Sequence, residues 1–157
     1  MCGLPGQTVL DLAADIEFFA AEDLDMIGMG PYIPHADAPI GKDAPLSKQE
    51  AVQRLELGLR MIAVTRLYLH DVNIAASTAL HALAADGRER GLLAGANVIM
   101  PNVTDMKYRK DYLLYDGKPA EDGGLRISCG HLERSLSAIG ERIAWNERGD
   151  SLHWRRR

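Results

Sequence analysis

Cysteine is scarce in this chain. There are two cysteines among 157 residues, Cys2 and Cys129, and neither lies in a CxxC arrangement. Two distant cysteines do not support a disulfide framework, and a complete iron–sulfur site needs about three or four thiolates. The chain therefore lacks the ligands for a cluster of its own, and we predict no metal site within it.

An excess of basic residues and long apolar runs are also absent. The 18 lysines and arginines are outnumbered by 22 aspartates and glutamates, which argues against nucleic acid as the main partner because phosphate binding needs a basic face. No apolar run reaches the roughly 18 residues of a membrane span, and the first residues do not form a signal peptide. We expect a cytoplasmic protein with no membrane partner, and a solvated tail at the basic cluster Arg155–Arg157.

Short apolar runs alternate with amphipathic patterns along the chain. Four runs predict buried strands: Met1–Leu4, Met26–Met29, Ile74–Ser77 and Asn97–Met100. A helical pattern follows each run. Regular alternation of near-continuous apolar strands with helices is typical of a parallel sheet covered by helices.

Capping residues and glycines predict where the helices begin and end. The expected N-caps of four helices are Thr8, Ser47, Asp86 and Thr104, and the first two have the capping-box spacing to Asp11 and Glu50. The second, third and fourth helices are expected to end near Leu69, Gly95 and Gly117. A last amphipathic helix is predicted to carry Leu132, Leu136, Ile139 and Ile143.

An unusual loop follows every predicted strand. These loops are Pro5-Gly6-Gln7, Gly30-Pro31, Ser77-Thr78 and Pro101-Asn102. The Gly-rich fingerprint of dinucleotide-binding folds is missing, whereas signals at the carboxyl ends of successive strands fit a TIM-type barrel, which needs eight strands. We predict an α/β fold that is a partial TIM-type (βα) barrel, with about four βα units in residues 1–118. Residues 119–157 are predicted to form a loop, a C-terminal helix and the basic tail.

Five motifs in order carry a resemblance to a known family. They are Gly3-Leu4-Pro5-Gly6-Gln7-Thr8, Gly28 to His35 with Asp37 and Pro39, Ser77-Thr78-Ala79-Leu80, Gly95 to Asn102, and Tyr108-Arg109 with Tyr112 and Leu114-Tyr115. Over residues 1–118 the chain closely resembles the carboxyl-terminal half of the HydE family, the radical-SAM maturases of FeFe hydrogenases. It is similar, more loosely, to biotin synthase and methylornithine synthase, and the Ile33-Pro34-His35 loop favours the maturases.

The resemblance implies a full (βα)8 barrel with a chamber at the carboxyl ends of its strands. A CxxxCxxC loop would hold a 4Fe-4S cluster, and S-adenosylmethionine (SAM) bound there would be cleaved to a 5′-deoxyadenosyl radical. That radical would attack a small iron- and sulfur-containing substrate, in a pathway shared with other hydrogenase maturation proteins. Because this sequence has no CxxxCxxC loop, we expect a truncated product or a fragment, inactive alone, whose missing N-terminal half a separate polypeptide could supply. A genuine half-barrel protein is the alternative.

The resemblance also assigns roles to residues of this chain. Cofactor binding is implied for Met26, Met100, Gly3, Pro5, Gly6, Gly28 and Pro31, and catalytic contact with the substrate is implied for Ser77, Thr78 and Tyr112. Each assignment has a structural alternative. A methionine in a buried strand can fill the core, a Ser-Thr pair can form a turn or cap a helix, and a tyrosine can pack under a helix.

Other polar residues carry weaker hypotheses. His35 and Asp37 are too few for a metal site and are expected to brace their loop, and Cys129 is expected to be a lone thiol. Two other functions stay open. The chain could be part of another radical-SAM enzyme, like biotin synthase or methylornithine synthase, or a non-catalytic half-barrel that binds SAM without a cluster.

Overall fold

Helices and strands alternate in the computed structural model, which describes residues 1–35, 38–41, 46–101, 106–109 and 125–157. The helices are α1 (Val9–Ala21), α2 (Lys48–Leu69), α3 (Thr78–Leu83), α4 (Gly87–Leu93), α5 (Met106–Arg109) and α6 (Leu125–Ala138). The strands are β1 (Met26–Met29), β2 (Asn73–Ala76) and β3 (Val98–Ile99), and short 3₁₀ turns lie at Pro39–Gly41 and Trp154–Arg156. Within these ranges, no helix is long and apolar enough to cross a bilayer.

The three strands form a parallel sheet in the order β1-β2-β3. Met26 pairs with Asn73, and Ala75 pairs with Val98. This confirms the predicted mixed α/β class and the parallel sheet. The described residues form an open sheet and not a closed barrel, so the barrel architecture stays a prediction.

The predicted first strand, Met1–Leu4, is reduced to one bridge between Cys2 and Pro31. The Cys2 N–H donates to the Gly30 oxygen at 3.0 Å, and the Tyr32 N–H donates to the Cys2 oxygen at 2.8 Å. Gly3 has a φ of +82°, which turns the chain out of the extended conformation immediately after Cys2. The segment therefore lies parallel to the end of β1 without continuing as a strand.

Both predicted capping boxes are confirmed. The Thr8 N–H donates to the Asp11 carboxylate at 2.7 Å, and the Asp11 N–H donates back to the Thr8 hydroxyl at 3.3 Å. Ser47 and Glu50 make the same exchange at 2.9 and 3.2 Å. These hydrogen bonds lower the pKa of Asp11 and of Glu50 below their usual ranges. The second helix, α2, ends at Leu69 as predicted.

Two predictions about the other helices differ from the structure, and a third falls mostly outside the described residues. Helix α3 is not among the predicted helices; it follows directly after Ser77, whose side chain makes no capping hydrogen bond. The last helix ends at Ala138 and not beyond Ile143, because the Glu141 N–H donates to the Leu136 oxygen at 2.9 Å and closes it. Of the predicted fourth helix, only α5 lies within the described residues; Thr104, Tyr112 and Gly117 lie outside them.

The basic cluster Arg155–Arg157 is exposed, as predicted, and two of its arginines also form ion pairs. Arg156 pairs with Asp71 at 2.6 Å, and Arg157 pairs with Asp23 and with Asp25, the latter at 3.3 Å. The predicted boundary between residues 118 and 119 lies outside the described residues and stays a prediction.

Leu80 on α3 is the centre of the helix-covered core. Its side chain has no exposed surface, and glycines on two neighbouring helices make room for it. A Cβ at Gly91 of α4 would lie 2.9 Å from Leu80 Cδ1, and one at Gly58 of α2 would lie 3.1 Å from Leu80 Cδ2. Because α2, α3 and α4 all meet at this side chain, Leu80 determines how closely they pack onto β2.

We expect Leu80→Ala to lower the free energy of unfolding by about 2–5 kcal/mol. The substitution leaves a cavity, and the helices that meet at Gly58 and Gly91 are already close together and cannot move in to fill it. Urea unfolding followed by circular dichroism measures this change. The matched control is Leu67→Ala on α2, where the side chain is 73% exposed and the change should stay within about 0.5 kcal/mol. Equal losses in both variants would contradict the central role of Leu80.

Candidate functional site at the carboxyl edge of the sheet

The loops that follow the parallel strands meet at one edge of the sheet. Because the strands run in the same direction, Gly30 after β1, Ser77 after β2 and Met100 after β3 all leave from this carboxyl edge. The bridge between Cys2 and Pro31 brings the Gly3–Gly6 loop to the same edge. This arrangement matches the position at which α/β barrels build their active sites.

The Gly3–Gly6 loop is folded by a side chain that follows it. Gln7 Oε1 accepts hydrogen bonds from the Gly3 and Leu4 N–H groups at 2.8 and 3.3 Å, and Gln7 Nε2 donates to the Met1 oxygen at 3.1 Å. Gly6 has a φ of +79°, which a side chain would disfavour. Pro5 and Gly6 are therefore held at the tip of a tight turn beside β1.

Arg54 on α2 joins two of these loops, and the sequence analysis missed it. Its Nη1 donates to the Tyr32 oxygen at 2.7 Å and to the Gly3 oxygen at 3.1 Å. Its guanidinium also lies 5.1 Å from the centre of the Tyr32 ring. The available signal was its position one turn before the buried Gly58, on the face of α2 that packs on the core. A charged residue on such a face needs partners.

Ser77 presents an unpaired hydroxyl at this edge. Its Oγ is inaccessible to solvent and has no hydrogen-bond partner among the described residues. A Cβ at Gly30 would collide with this oxygen, so glycine lets the hydroxyl approach the end of β1. Since Met29 pairs with Ala76, Ser77 lies beside Gly30, on the face that Gly28 and Ala75 share.

The other face of β1 packs against the helices. Ile27 and Met29 are buried in the core, whereas Met26 and Gly28 alternate with them on the opposite face and are exposed. A Cβ at Gly28 would meet no atom within 4 Å. The face that carries Gly28 and Ser77 is therefore open next to β1, and it has room for a ligand.

The two methionines assigned to the cofactor lie at different ends of the sheet. Met26 begins β1 at the amino edge and is 47% exposed, while Met100 follows β3 at the carboxyl edge and is 51% exposed. A strand rises about 3.3 Å per residue, which separates Met26 from the carboxyl end of β1 by roughly 10 Å. The structure brings Met100 to the loops of the edge and does not bring Met26 there.

The remaining candidate residues are only partly described. Thr78 is half-buried as the first residue of α3, and the His35 oxygen accepts a hydrogen bond from the Ala38 N–H at 3.0 Å. Tyr112 and Asp37 lie outside the described residues. Their roles stay predictions.

The chain's own thiols do not suit an iron–sulfur cluster. Cys2 is buried, and burial raises the pKa of its thiol, which disfavours the thiolate that binds a metal. Cys129 is free and half-buried on α6. Within the ranges that the structure describes, no group of three or more His, Cys, Asp or Glu side chains could hold a metal ion. A cluster would therefore need ligands from outside this chain.

No family model matches the chain, but one curated protein does. The chain is 48% identical over 118 residues to the [FeFe] hydrogenase maturase subunit HydE of Thermotoga maritima. This confirms the resemblance read from the motifs. The match covers 75% of this chain and 32% of that relative, in the relative's C-terminal part. The chain thus spans about a third of the length of the curated protein that it matches.

We expect Arg54→Gln to increase local opening of the loops at the carboxyl edge without unfolding the chain. Hydrogen bonds to a charged group contribute about 1.5–3 kcal/mol, so hydrogen exchange at the Cys2 and Tyr32 amides should become at least tenfold faster. Exchange measured by NMR tests this. Arg60→Gln is the matched control, because Arg60 lies on the same helix and pairs only with the exposed Glu56 at 3.5 Å in the part described. Unchanged exchange in Arg54→Gln would contradict the bridging role.

Proposed function

We propose that this chain provides the carboxyl-terminal part of a radical-SAM enzyme that acts in FeFe-hydrogenase maturation. The observation that carries the proposal is the 48% identity to the maturase subunit HydE. The parallel sheet supports it, because its loops converge on one edge as in a (βα)8 barrel. The chain then corresponds to about four βα units of such a barrel, acting in the cytoplasm beside other maturation proteins.

The open face near Gly28 and the unpaired Ser77 hydroxyl fit one wall of a site for SAM and substrate. We propose that the Gly3, Pro5 and Gly6 loop and the backbone at Pro31 hold the adenosyl end of SAM. Met100 would contribute a thioether contact, whereas Met26, at the amino end of β1, lies too far from these loops to join it. SAM supplies a 5′-deoxyadenosyl radical when its sulfonium bond is cleaved reductively. Ser77, Thr78 and Tyr112 would hold a small iron- and sulfur-containing substrate by hydrogen bonds.

The 4Fe-4S cluster does not fit this chain. The sequence contains two cysteines, and the thiol of Cys2 is buried with a raised pKa. We therefore propose that the cluster ligands belong to a CxxxCxxC segment outside these residues. The chain is then inactive alone and contributes binding and positioning groups to an assembled enzyme.

Reconstitution tests the proposal. The chain is produced together with the N-terminal part of the Thermotoga relative, and 5′-deoxyadenosine is measured after reduction with SAM present. We expect product only when both parts are present, and hydrogenase activity when the pair replaces the maturase in a deficient strain. Product without restored hydrogenase would favour another radical-SAM reaction. SAM binding with no product in a folded, cluster-loaded pair would favour the non-catalytic half-barrel.

Ser77→Ala should lower the turnover of the reconstituted pair without lowering the stability of the chain. Removing a buried hydroxyl that lacks a partner leaves stability unchanged or raises it, whereas losing a hydrogen bond to the ligand should lower turnover of the reconstituted pair about three- to tenfold. Thermal unfolding and product formation are measured on the same variant. The matched control is Ser137→Ala on the exposed side of α6, which should change neither. A loss of stability in Ser77→Ala without a loss of turnover would show a structural role.

A further inference from the structure

Three carboxylates lie at the amino edge of the sheet, opposite the proposed active site. Asp23 and Asp25 precede β1, and Asp71 precedes β2. They belong to the two loops that carry the chain from a helix into a strand. Because β1 and β2 are parallel and adjacent, these loops are neighbours, and their charges repel one another unless cations lie between them.

The C-terminal segment Arg148–Arg157 supplies those cations. Arg156 binds Asp71 at 2.6 Å, and Arg157 binds both Asp23 and Asp25. The His153 ring lies between the loops, with Nε2 2.7 Å from Asp23 and Nδ1 3.4 Å from Asp71. One ring thereby contacts a carboxylate of each loop.

Hydrogen bonds that involve backbone atoms fix the position of the C-terminal segment on the two loops. The His153 N–H donates to the Asp71 oxygen at 3.1 Å, and Asn73 Nδ2 donates to the Gly149 oxygen at 2.7 Å. Ser151 is 2% exposed, and its hydroxyl accepts from the Trp154 N–H at 2.9 Å. The docking is therefore specific and not a loose attraction of unlike charges.

The loops beneath the segment contain strained residues and line an open pocket. Asp23 and His70 adopt φ values of +52° and +39°, which are costly for residues with a side chain. The pocket, of about 240 Å³, lies between them, with Phe19, Leu24, Tyr68 and His153 in its walls. Removal of the segment would take His153 from the wall of this pocket and break the ion pairs of the three carboxylates with the tail.

We propose that Arg148–Arg157 is a reversible electrostatic latch that closes the amino edge of the sheet by joining the loops before β1 and β2. The latch is independent of the proposed maturase function. It is closed at neutral pH and low ionic strength. It opens when salt screens its ion pairs, since the screening length falls from about 10 Å at 0.1 M salt to about 3 Å at 1 M.

Acid should open the latch as well. The hydrogen bond from His153, followed by the charge of Arg157, lowers the pKa of Asp23 below 3.8. Because its pKa is lowered in the closed state, ionised Asp23 stabilises that state at pH values above the ordinary pKa of a carboxylate. This contribution is lost as the pH falls through the lowered pKa of the folded state. The other groups that face this cluster are Asp25, Asp71, Arg156, and, on α2 or at its end, Arg66 and His70.

Hydrogen exchange of the C-terminal peptide, measured by mass spectrometry on the full chain, tests the latch. In 0.1 M salt at pH 7, Arg156→Gln/Arg157→Gln should speed exchange of the residues from Ser151 onward at least tenfold, and 1 M salt should do the same to the wild type. The double variant changes only exposed tail side chains, so it does not endanger the core. Arg134→Gln on α6 is the control and should leave exchange unchanged.

A charge swap makes the test specific. Asp71→Lys should open the latch, and Asp71→Lys combined with Arg156→Glu should restore slow exchange. If the tail exchanges at the wild-type rate in Arg156→Gln/Arg157→Gln and in 1 M salt, the latch is not electrostatic and the proposal fails. If the swap does not restore protection while circular dichroism shows a folded chain, the pairing of these two loops by the tail is wrong.

Discussion

Parallel pairing of β1 with β2 is the constraint on which the rest of the molecule depends. The register from Met26 with Asn73 to Met29 with Ala76 sends both following loops to one edge and both preceding loops to the other. Gly30 and Ser77 thereby become neighbours at the carboxyl edge, while Asp25 and Asp71 approach each other at the amino edge. A slip of one residue would move every side chain of a strand to the other face of the sheet.

Helix α2 holds this sheet at both ends through two arginines. Arg54 donates to backbone oxygens of the carboxyl-edge loops. Arg66 donates to the oxygens of Gly95, His70 and Val72 at 2.7–2.8 Å near the amino edge. Burial lowers the pKa of Arg66, although Asp71 opposes the shift. The two side chains start roughly 18 Å apart along the helix, so one rigid element secures loops on opposite sides of the sheet.

Elements that depend on residues close together in the chain could be predicted from the sequence. The strand Met26–Met29, the two capping boxes and the end of α2 at Leu69 follow from apolar runs and from residues three positions apart. The docking of Arg156 and Arg157, by contrast, depends on aspartates more than 80 residues earlier in the chain, and no local pattern reports such a partner. Arg54 was missed for the same reason, because its acceptors are backbone oxygens that only the fold brings together.

The candidate site was predictable in its location and not in its geometry. The loops after the strands were identified from their glycines and prolines, and the parallel sheet gathers them at one edge. The position of Met26 three residues before the end of β1 separates it from that edge, and only the strand register reveals this. The unpaired state of the Ser77 hydroxyl likewise depends on Gly30 beside it, a contact between residues 47 positions apart.

The two edges of the sheet differ in how their polar groups are satisfied. At the amino edge, the charges of Asp23 and Asp71 meet the tail and the Asn73 amide meets a backbone oxygen, while one carboxylate oxygen of Asp25 is buried without a partner among the described residues. At the carboxyl edge, the hydroxyls of Ser77 and Tyr32 are buried without a partner among the described residues. Unsatisfied buried hydroxyls lower stability. The two hydroxyls at the carboxyl edge suit a binding site, since a ligand or the rest of an assembled barrel can supply the missing hydrogen bonds.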